Sequence, residues 1–390
     1  MKQRNVLLVI QPAYPERISG LARVARSHGW HLTIVDRLAR FPRGWRGDGA
    51  LVTLRGNAKT NRFVRGLVRD GIPVVDLTYN HPEIRLPRVS GDHEAFGRLA
   101  RQHFESLNFR HFAWFSTDWS HVHELRFRGY AAETREEGRG MRDENPEVCK
   151  WILKELVKEE EIDNWRLFLR VIGRKLRSAP KPLAVLTYDD ADAAKVLSAT
   201  LEAGLRVPED IAIMGIGNDK VICENQAVPL TSVDHDLEKN GYDGAALLNR
   251  LMNKTARGTR HEAQGTILLP PRGIVVRKST DTLAADDPLL SAALREISKR
   301  LATSFGTAEI ATALRIPRTR LDRLFAEKFS RSVGREIVRQ RIDRAKRFLS
   351  ETDKPMKEIA ALCGYCNAGY FSNAFRTETG LTPKAWRRGH

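Results

Sequence analysis

The sequence predicts two α/β lobes built on parallel sheets with crossover helices, followed by a smaller all-α domain that carries two helix-turn-helix units. Over the first 275 residues short apolar runs alternate with helical segments, the rhythm of parallel strands joined by crossover helices. Over the last hundred residues one supersecondary unit occurs twice. Charge is also uneven: of the net +17, residues 291–390 hold 21 Lys or Arg against 10 Asp or Glu. A chain of 390 residues is too long for one core and fits two or three domains.

In chain order, the first strands are NVLLVI (5–10), GALVTL (49–54) and IPVVDL (72–77), with a helix over 17–28. Their nearly continuous apolar character suits strands covered on both faces. A helix over 94–108 then leads to HFAWFS (111–116), and a long charged helical region spans 147–178. LAVLTY (183–188) and IAIMGI (211–216) follow, separated by a helix over 192–204. A further helix over 240–253 precedes the last runs, TILL (266–269) and GIVV (273–276). We expect these strands to divide into two sheets, giving a two-lobed α/β domain over 1–276, a linker over 277–288 and a helical domain over 289–390.

The repeat defines the helical domain. AEIATALRIPRTRLDRLFAE starts at Ala308 and KEIAALCGYCNAGYFSNAFRTE at Lys357. The triplets Glu309-Ile310-Ala311 and Glu358-Ile359-Ala360 are 49 residues apart, whereas Leu321 and Phe371, and Phe325 and Phe375, are 50 apart, so the second turn holds one extra residue. A helix over 333–349, about 25 Å long at about 1.5 Å per residue, would separate two recognition helices by roughly the spacing of successive major grooves. Cys363 and Cys366 have C-x-x-C spacing, but a structural zinc needs four ligands, and Cys149, Cys223 and His390 do not supply them. We therefore expect no metal. Cys363 reads as a small buried hydrophobe closing one helix, and Cys366 with Asn367 as the cap region of the next.

Several function classes lack their signatures. No apolar run approaches the roughly 18 residues needed to span a bilayer, so the chain reads as soluble, cytoplasmic and without membrane partner. Four cysteines without paired spacing suit a reducing compartment. The first strand leads into QPAYPERISG rather than a Gly-rich phosphate cradle, and no P-loop occurs. His111, His121 and His123 lie near Trp114 and Trp119 without a nucleophile elbow or metal spacing. No catalytic residues, metal or cofactor are expected.

The run GYFSNAFRTETGLTPKAWRR, with Phe371, Phe375, Gly380, Pro383 and Arg387 at characteristic positions, resembles the signature of AraC-type DNA-binding domains. That resemblance implies base-reading side chains from Arg318, Thr319, Asp322 and Arg323 in the first unit and from Asn367, Gly369 and Asn373 in the second. Arg suits guanine and Asn adenine on geometric grounds. The family pattern is altered at Pro317, in place of a small capping residue, and at Asn373, in place of a basic one.

The first 275 residues resemble the periplasmic-binding-protein-like sensor domains of LacI/GalR repressors and of periplasmic sugar-binding proteins. The resemblance lies in RFRGY (126–130), LTYDDADAAKVL (186–197), VPEDIAIMGIGNDK (207–220) and LTSVDHDLEKNGYDGAALL (230–248). Such a sensor ahead of an AraC-type tail is the arrangement of the xylose operon regulators, a family the whole chain resembles. It implies a transcription regulator that binds xylose or a related monosaccharide and acts on DNA as a homodimer, with RNA polymerase a further partner. Sugar hydroxyls need carboxylates, amides and guanidinium forks backed by aromatic faces. Arg126, Asp189, Asp190, Asn218 and Asp219 are the candidate ligand groups, with Trp119 a stacking surface. A DNA-associated sugar-modifying enzyme and a regulator sensing a non-sugar ligand are the alternatives.

Overall fold

The computed structural model describes residues 3–35, 41–42, 44–55, 58–132, 148–256, 265–281, 288–329 and 331–389. It divides into two compact units, Met1–Asp281 and Thr282–His390. In the first unit, β1 (Arg4–Val9), α1 (Pro15–Ser27), β2 (Trp30–Ile34), β3 (Gly49–Val52), α2 (Ala58–Arg69), β4 (Val74–Asp76) and β5 (Arg88–Gly91) open a first lobe. The chain then passes into a second lobe through α3 (His93–Ser106), β6 (His111–Ser116), α4 (His121–Ala131), β7 (Val148–Ile152), α5 (Leu153–Leu156), α6 (Trp165–Ser178), β8 (Leu183–Thr187), α7 (Asp190–Glu202), β9 (Ile211–Gly217), α8 (Lys220–Glu224) and β10 (Thr231–Asp234). It returns to the first lobe for α9 (Leu237–Ala256) and β11 (Thr266–Leu269), and crosses a third time to β12 (Gly273–Val275).

Each lobe holds one six-stranded sheet, in the orders β11-β5-β4-β3-β1-β2 and β12-β10-β9-β8-β6-β7. Pairing is parallel except for β12, which runs antiparallel to β10. Alternate side chains of a strand face opposite sides of its sheet. On β1, Val6 and Leu8 accordingly pack with Leu247, Leu248 and Leu251 of α9, while Leu7 and Val9 pack with Val64 and Leu67 of α2. In the second lobe Phe168, Ile172 and Leu176 of α6 and Val196 and Leu197 of α7 cover Val185 and Ile213.

Two differences from the sequence expectation are evident. The expected helical region over 147–178 begins instead with strand β7 and the short α5, and only Trp165–Ser178 forms a long helix; residue 147 lies outside the described residues. The final strand closes its sheet in the antiparallel sense. In addition, Arg277–Asp281, within the segment expected to be a linker, pack into the first unit, with Ser279 Oγ donating to the Ile213 carbonyl at 2.6 Å; residues 282–287 of that segment lie outside the described residues.

The second unit contains α10 (Pro288–Arg300), α11 (Thr307–Ala313), α12 (Arg318–Phe329), α13 (Val333–Glu351), α14 (Met356–Leu362), α15 (Ala368–Thr379) and α16 (Pro383–Gly389). The repeat predicted from sequence is the pair α11–α12 and α14–α15. Its turns hold residues at positive φ in equivalent places, Arg315 at +55° and Gly364 at +74°. Glycine is required only at the second, where a Cβ would stand 2.5 Å from the Leu301 carbonyl oxygen. Phe371 and Phe375 enter a core with Ile342, Ala345 and Leu349 of α13, and Cys363 belongs to it. Cys366 is exposed, and Asn367 caps α15 by accepting from the Tyr370 N–H at 2.7 Å.

Candidate functional site

A cleft opens where the two lobes of the first unit meet, at the carboxyl ends of their strands. Open α/β sheets place ligands there because loops converge beyond the strand ends. The first lobe contributes Tyr14 and Arg17 from the start of α1, Arg55 after β3, Thr78 and Asn80 after β4, and Ser90 of β5. The second contributes His93, Arg126 of α4, and Tyr188 and Asp189 after β8, with His235 on a crossing segment.

Two glycine-mediated helix crossings bring the deepest arginines into place. In Arg17-Ile18-Ser19-Gly20 the glycine lets α1 approach α9 so closely that a Cβ would lie 2.0 Å from the Glu238 carbonyl oxygen. In Arg126-Phe127-Arg128-Gly129 the same spacing serves α4 and α3, where a Cβ would lie 2.1 Å from the Glu94 carbonyl oxygen. Each arginine therefore projects from the turn before a close crossing, one in each lobe.

Hydrogen bonds then fix these guanidinium groups. Arg17 Nε donates to Asn240 Oδ1 at 2.8 Å, and Asn240 Nδ2 donates to the Val89 carbonyl at 2.8 Å. Arg126 Nε donates to His93 Nδ1 at 3.2 Å, and its Nη1 donates to the Tyr188 carbonyl. Its guanidinium also lies 4.7 Å from the Tyr188 ring centroid. Burial, reinforced by Arg126, holds His93 well below the usual histidine range, so its ring is neutral and can accept that bond. Burial and the neighbouring Arg55 push Arg17 down to about 10, leaving it charged at neutral pH. Burial and nearby Asp192 raise the Asp189 carboxyl, whose Oδ1 caps α7 through the Asp192 N–H at 2.9 Å. Across the mouth, Ser120 Oγ of the second lobe donates to Asn80 Oδ1 of the first at 2.9 Å.

Of the six candidate ligand groups, Arg126 and Asp189 line this cleft. The other four have different surroundings. Asp190 lies beneath the loop, accepting from Ser232 Oγ at 2.5 Å and the Asp219 N–H at 2.7 Å, and burial pushes it up to about 6. Asp219 caps α8 through the Ile222 N–H at 3.2 Å. Asn218, at φ +58°, accepts from Arg277 and donates to Asp234. Trp119 packs edge-to-face with Trp114 and Phe127 under the Lys150 ammonium. Tyr14, Arg17, Arg55, Asn80, His93, Tyr188 and His235 escape the sequence reading. Only Arg17 left a signal, the Arg-x-x-Gly spacing it shares with Arg126.

In the second unit, Thr319 and Arg323 occupy one exposed face of α12, four residues apart. Arg318 pairs with Asp322 at 3.4 Å and Arg323 with Glu327 at 3.5 Å; most of both arginine side chains is exposed. On α15, Gly369 and Asn373 share the corresponding exposed face, with Tyr370 beside them. Asn367 uses its side-chain oxygen to cap that helix. Among the described residues no cluster of three or more His, Cys, Asp or Glu side chains could hold a metal ion, and no helix is long and apolar enough to cross a membrane.

Fold and site define a two-lobed periplasmic-binding-protein-like domain ahead of a helical unit that carries two helix-turn-helix pairs. Residues 101–280 match a periplasmic binding protein-like domain and residues 310–389 a helix-turn-helix domain. Among the proteins this chain is similar to are two xylose operon regulatory proteins: that of Haemophilus influenzae, 31% identical over 212 residues, 54% of either chain, and that of Escherichia coli K12, 24% identical over 355 residues, 88% of this chain and 84% of that one. The first match thus spans about half the length of its relative. Among solved structures, a xylose-binding transcription activator aligns over 100% of this chain and 99% of its own at TM-score 0.66 and 21% identity. A transcriptional regulator in complex with cellobiose aligns over 71% and 85% at TM-score 0.54 and 21% identity. These relatives are regulators rather than enzymes.

Proposed function

We propose that this regulator senses a small sugar in the cleft of its first unit and answers by altering how its two helix-turn-helix units engage operator DNA. The observation that supports this most is the cleft itself, where guanidinium, carboxylate, amide and hydroxyl groups converge from both lobes with Tyr14 and Tyr188 as apolar faces. A ligand touching both lobes favours whichever lobe arrangement it binds better, and can shift the equilibrium only by that difference. Arg126 and Asp189 are the proposed sugar-contacting residues, and Asp190, Asn218 and Asp219 hold the loop that presents the second-lobe wall. Arg318, Thr319, Asp322, Arg323, Gly369 and Asn373 are the proposed DNA-contacting residues, with Asn367 setting the start of the second recognition helix. The chain acts in the cytoplasm as a homodimer, with RNA polymerase as a further partner. Xylose and its derivatives are the first compounds to test. Thermal unfolding of the full chain against a panel of pentoses, hexoses and their derivatives should reveal a compound that stabilises it by about 2.7 kcal/mol at 100 times its Kd. The same compound should change operator affinity. A panel in which no compound shifts unfolding would refute the sensor assignment.

A further inference from the structure

Four arginines in the first unit are almost wholly buried: Arg17 at 3% exposure, Arg88 at 4%, Arg101 at 2% and Arg126 at 5%. Away from the cleft each has a carboxylate, Asp76 at 3.1 Å from Arg88 and Glu105 at 2.7 Å from Arg101. Facing the cleft neither has one. Among the described residues no Asp or Glu lies within 4.0 Å of Arg17 or Arg126, whose hydrogen-bond partners are an amide, a neutral imidazole and a carbonyl. Arg55 adds a third guanidinium to the cleft lining, where Asp189 is the single carboxylate.

Burying a charge without a counter-charge is costly, and the protein pairs its other buried arginines accordingly. A second observation points the same way. His235 Nε2 is buried at the cleft and has no hydrogen-bond partner among the described residues. Burial and the three arginines hold this ring neutral, so it offers a hydrogen bond without adding charge. A neutral sugar would satisfy these groups with hydroxyls but leave the charge excess in place. A carboxylate or phosphate supplies the missing anion and suits guanidinium forks.

We infer that the effector is an anionic carbohydrate, a sugar acid or sugar phosphate, whose acidic group is held among Arg17, Arg55 and Arg126 while its hydroxyls meet Asp189, Asn80 and His235. This rests on the sugar-sensor reading and adds the charge. Because Arg17 and Arg126 belong to opposite lobes, the anion ties the lobes together through charge-assisted bonds.

The test is calorimetric titration of the full chain with xylose, xylonate, glucuronate, xylose 5-phosphate and inorganic phosphate. At least one anionic carbohydrate should bind tenfold or more tighter than xylose, and the choice between the acids and the phosphate identifies the anionic group. Arg55→Gln, which removes one cleft guanidinium and keeps a hydrogen-bonding side chain there, should reduce that preference severalfold. Equal or tighter binding of xylose would overturn the charge inference while leaving the sugar sensor standing. Binding of inorganic phosphate alone, or of nothing in the set, would overturn both.

Discussion

His123 lies flat against Tyr188, ring centroids 3.6 Å apart, and its Nδ1 is 2.7 Å from Ser120 Oγ. Burial, with the positive Arg126 nearby, depresses its pKa to about 3 from 6.5. The sign of the consequence follows. Below pH 6.5 the unfolded chain takes up a proton at this ring that the folded chain refuses until about pH 3, so stability present above 6.5 is lost as pH falls. One such group gives a slope of about 1.4 kcal/mol per pH unit. His93 and His235, depressed chiefly by burial as well, act in the same direction. Denaturant unfolding measured at several pH values below 6.5 should therefore show a steep acid limb, and His123→Gln should flatten it by about one proton. An unchanged slope in the variant would mean that His123 titrates normally in the folded state.

At the scale of elements, the two recognition helices share a scaffold but differ in what they present. The exposed face of α12 carries Thr319 and Arg323 with Arg318 and Arg320 beside them, whereas that of α15 carries Gly369, Tyr370 and Asn373, with a single cation, Arg376, in its last turn. Arg323→Ala should weaken operator binding by about 1–3 kcal/mol and relax preference at one base pair, with little effect on random DNA. A footprint or mobility-shift series showing equal losses on both would assign Arg323 to the phosphate backbone instead. Arg387 is already engaged within the domain, donating to the Lys354 carbonyl at 2.7 Å, so its loss acts on folding before it acts on DNA. These helices could be read from sequence because a repeat exposes its own period. Central strands such as β1 and β8 were equally legible, since burial on both faces leaves an unbroken apolar run. The edge strands β2 and β7 were not, because WHLTI and VCKWI mix polar and apolar residues as sheet edges permit. Nor was β5, whose Arg88 is buried only because Asp76 of β4 neutralises it. Most of the cleft was illegible for a related reason. Tyr14 and His235 meet there from opposite ends of the unit, and no local pattern records that meeting.

For the molecule as a whole, the +11 concentrated in residues 291–390 makes DNA association a matter of displaced counterions. If the two helix-turn-helix units together neutralise about 6 to 10 phosphates, operator affinity should fall by about 10³- to 10⁵-fold between about 50 and about 200 mM salt. Fluorescence anisotropy of labelled operator across that range measures the slope. A nearly flat dependence would mean that the basic surface faces away from the duplex.

The three passages between lobes also govern how the chain matures during synthesis. A ribosome that has released only β1 to β5 has made most of the first sheet, but Val6, Leu8 and Leu51 still lack the α9 side chains that cover them. Those arrive only after β6 to β10 of the second lobe, and β11 later still, pairing with β5 from Thr266 opposite Arg88 to Leu269 opposite Gly91. The lobe that begins first therefore stays incomplete while most of its neighbour is made, leaving an apolar sheet face and an open strand edge on the nascent chain while residues 92–236 are translated. That interval is when this protein most needs a chaperone.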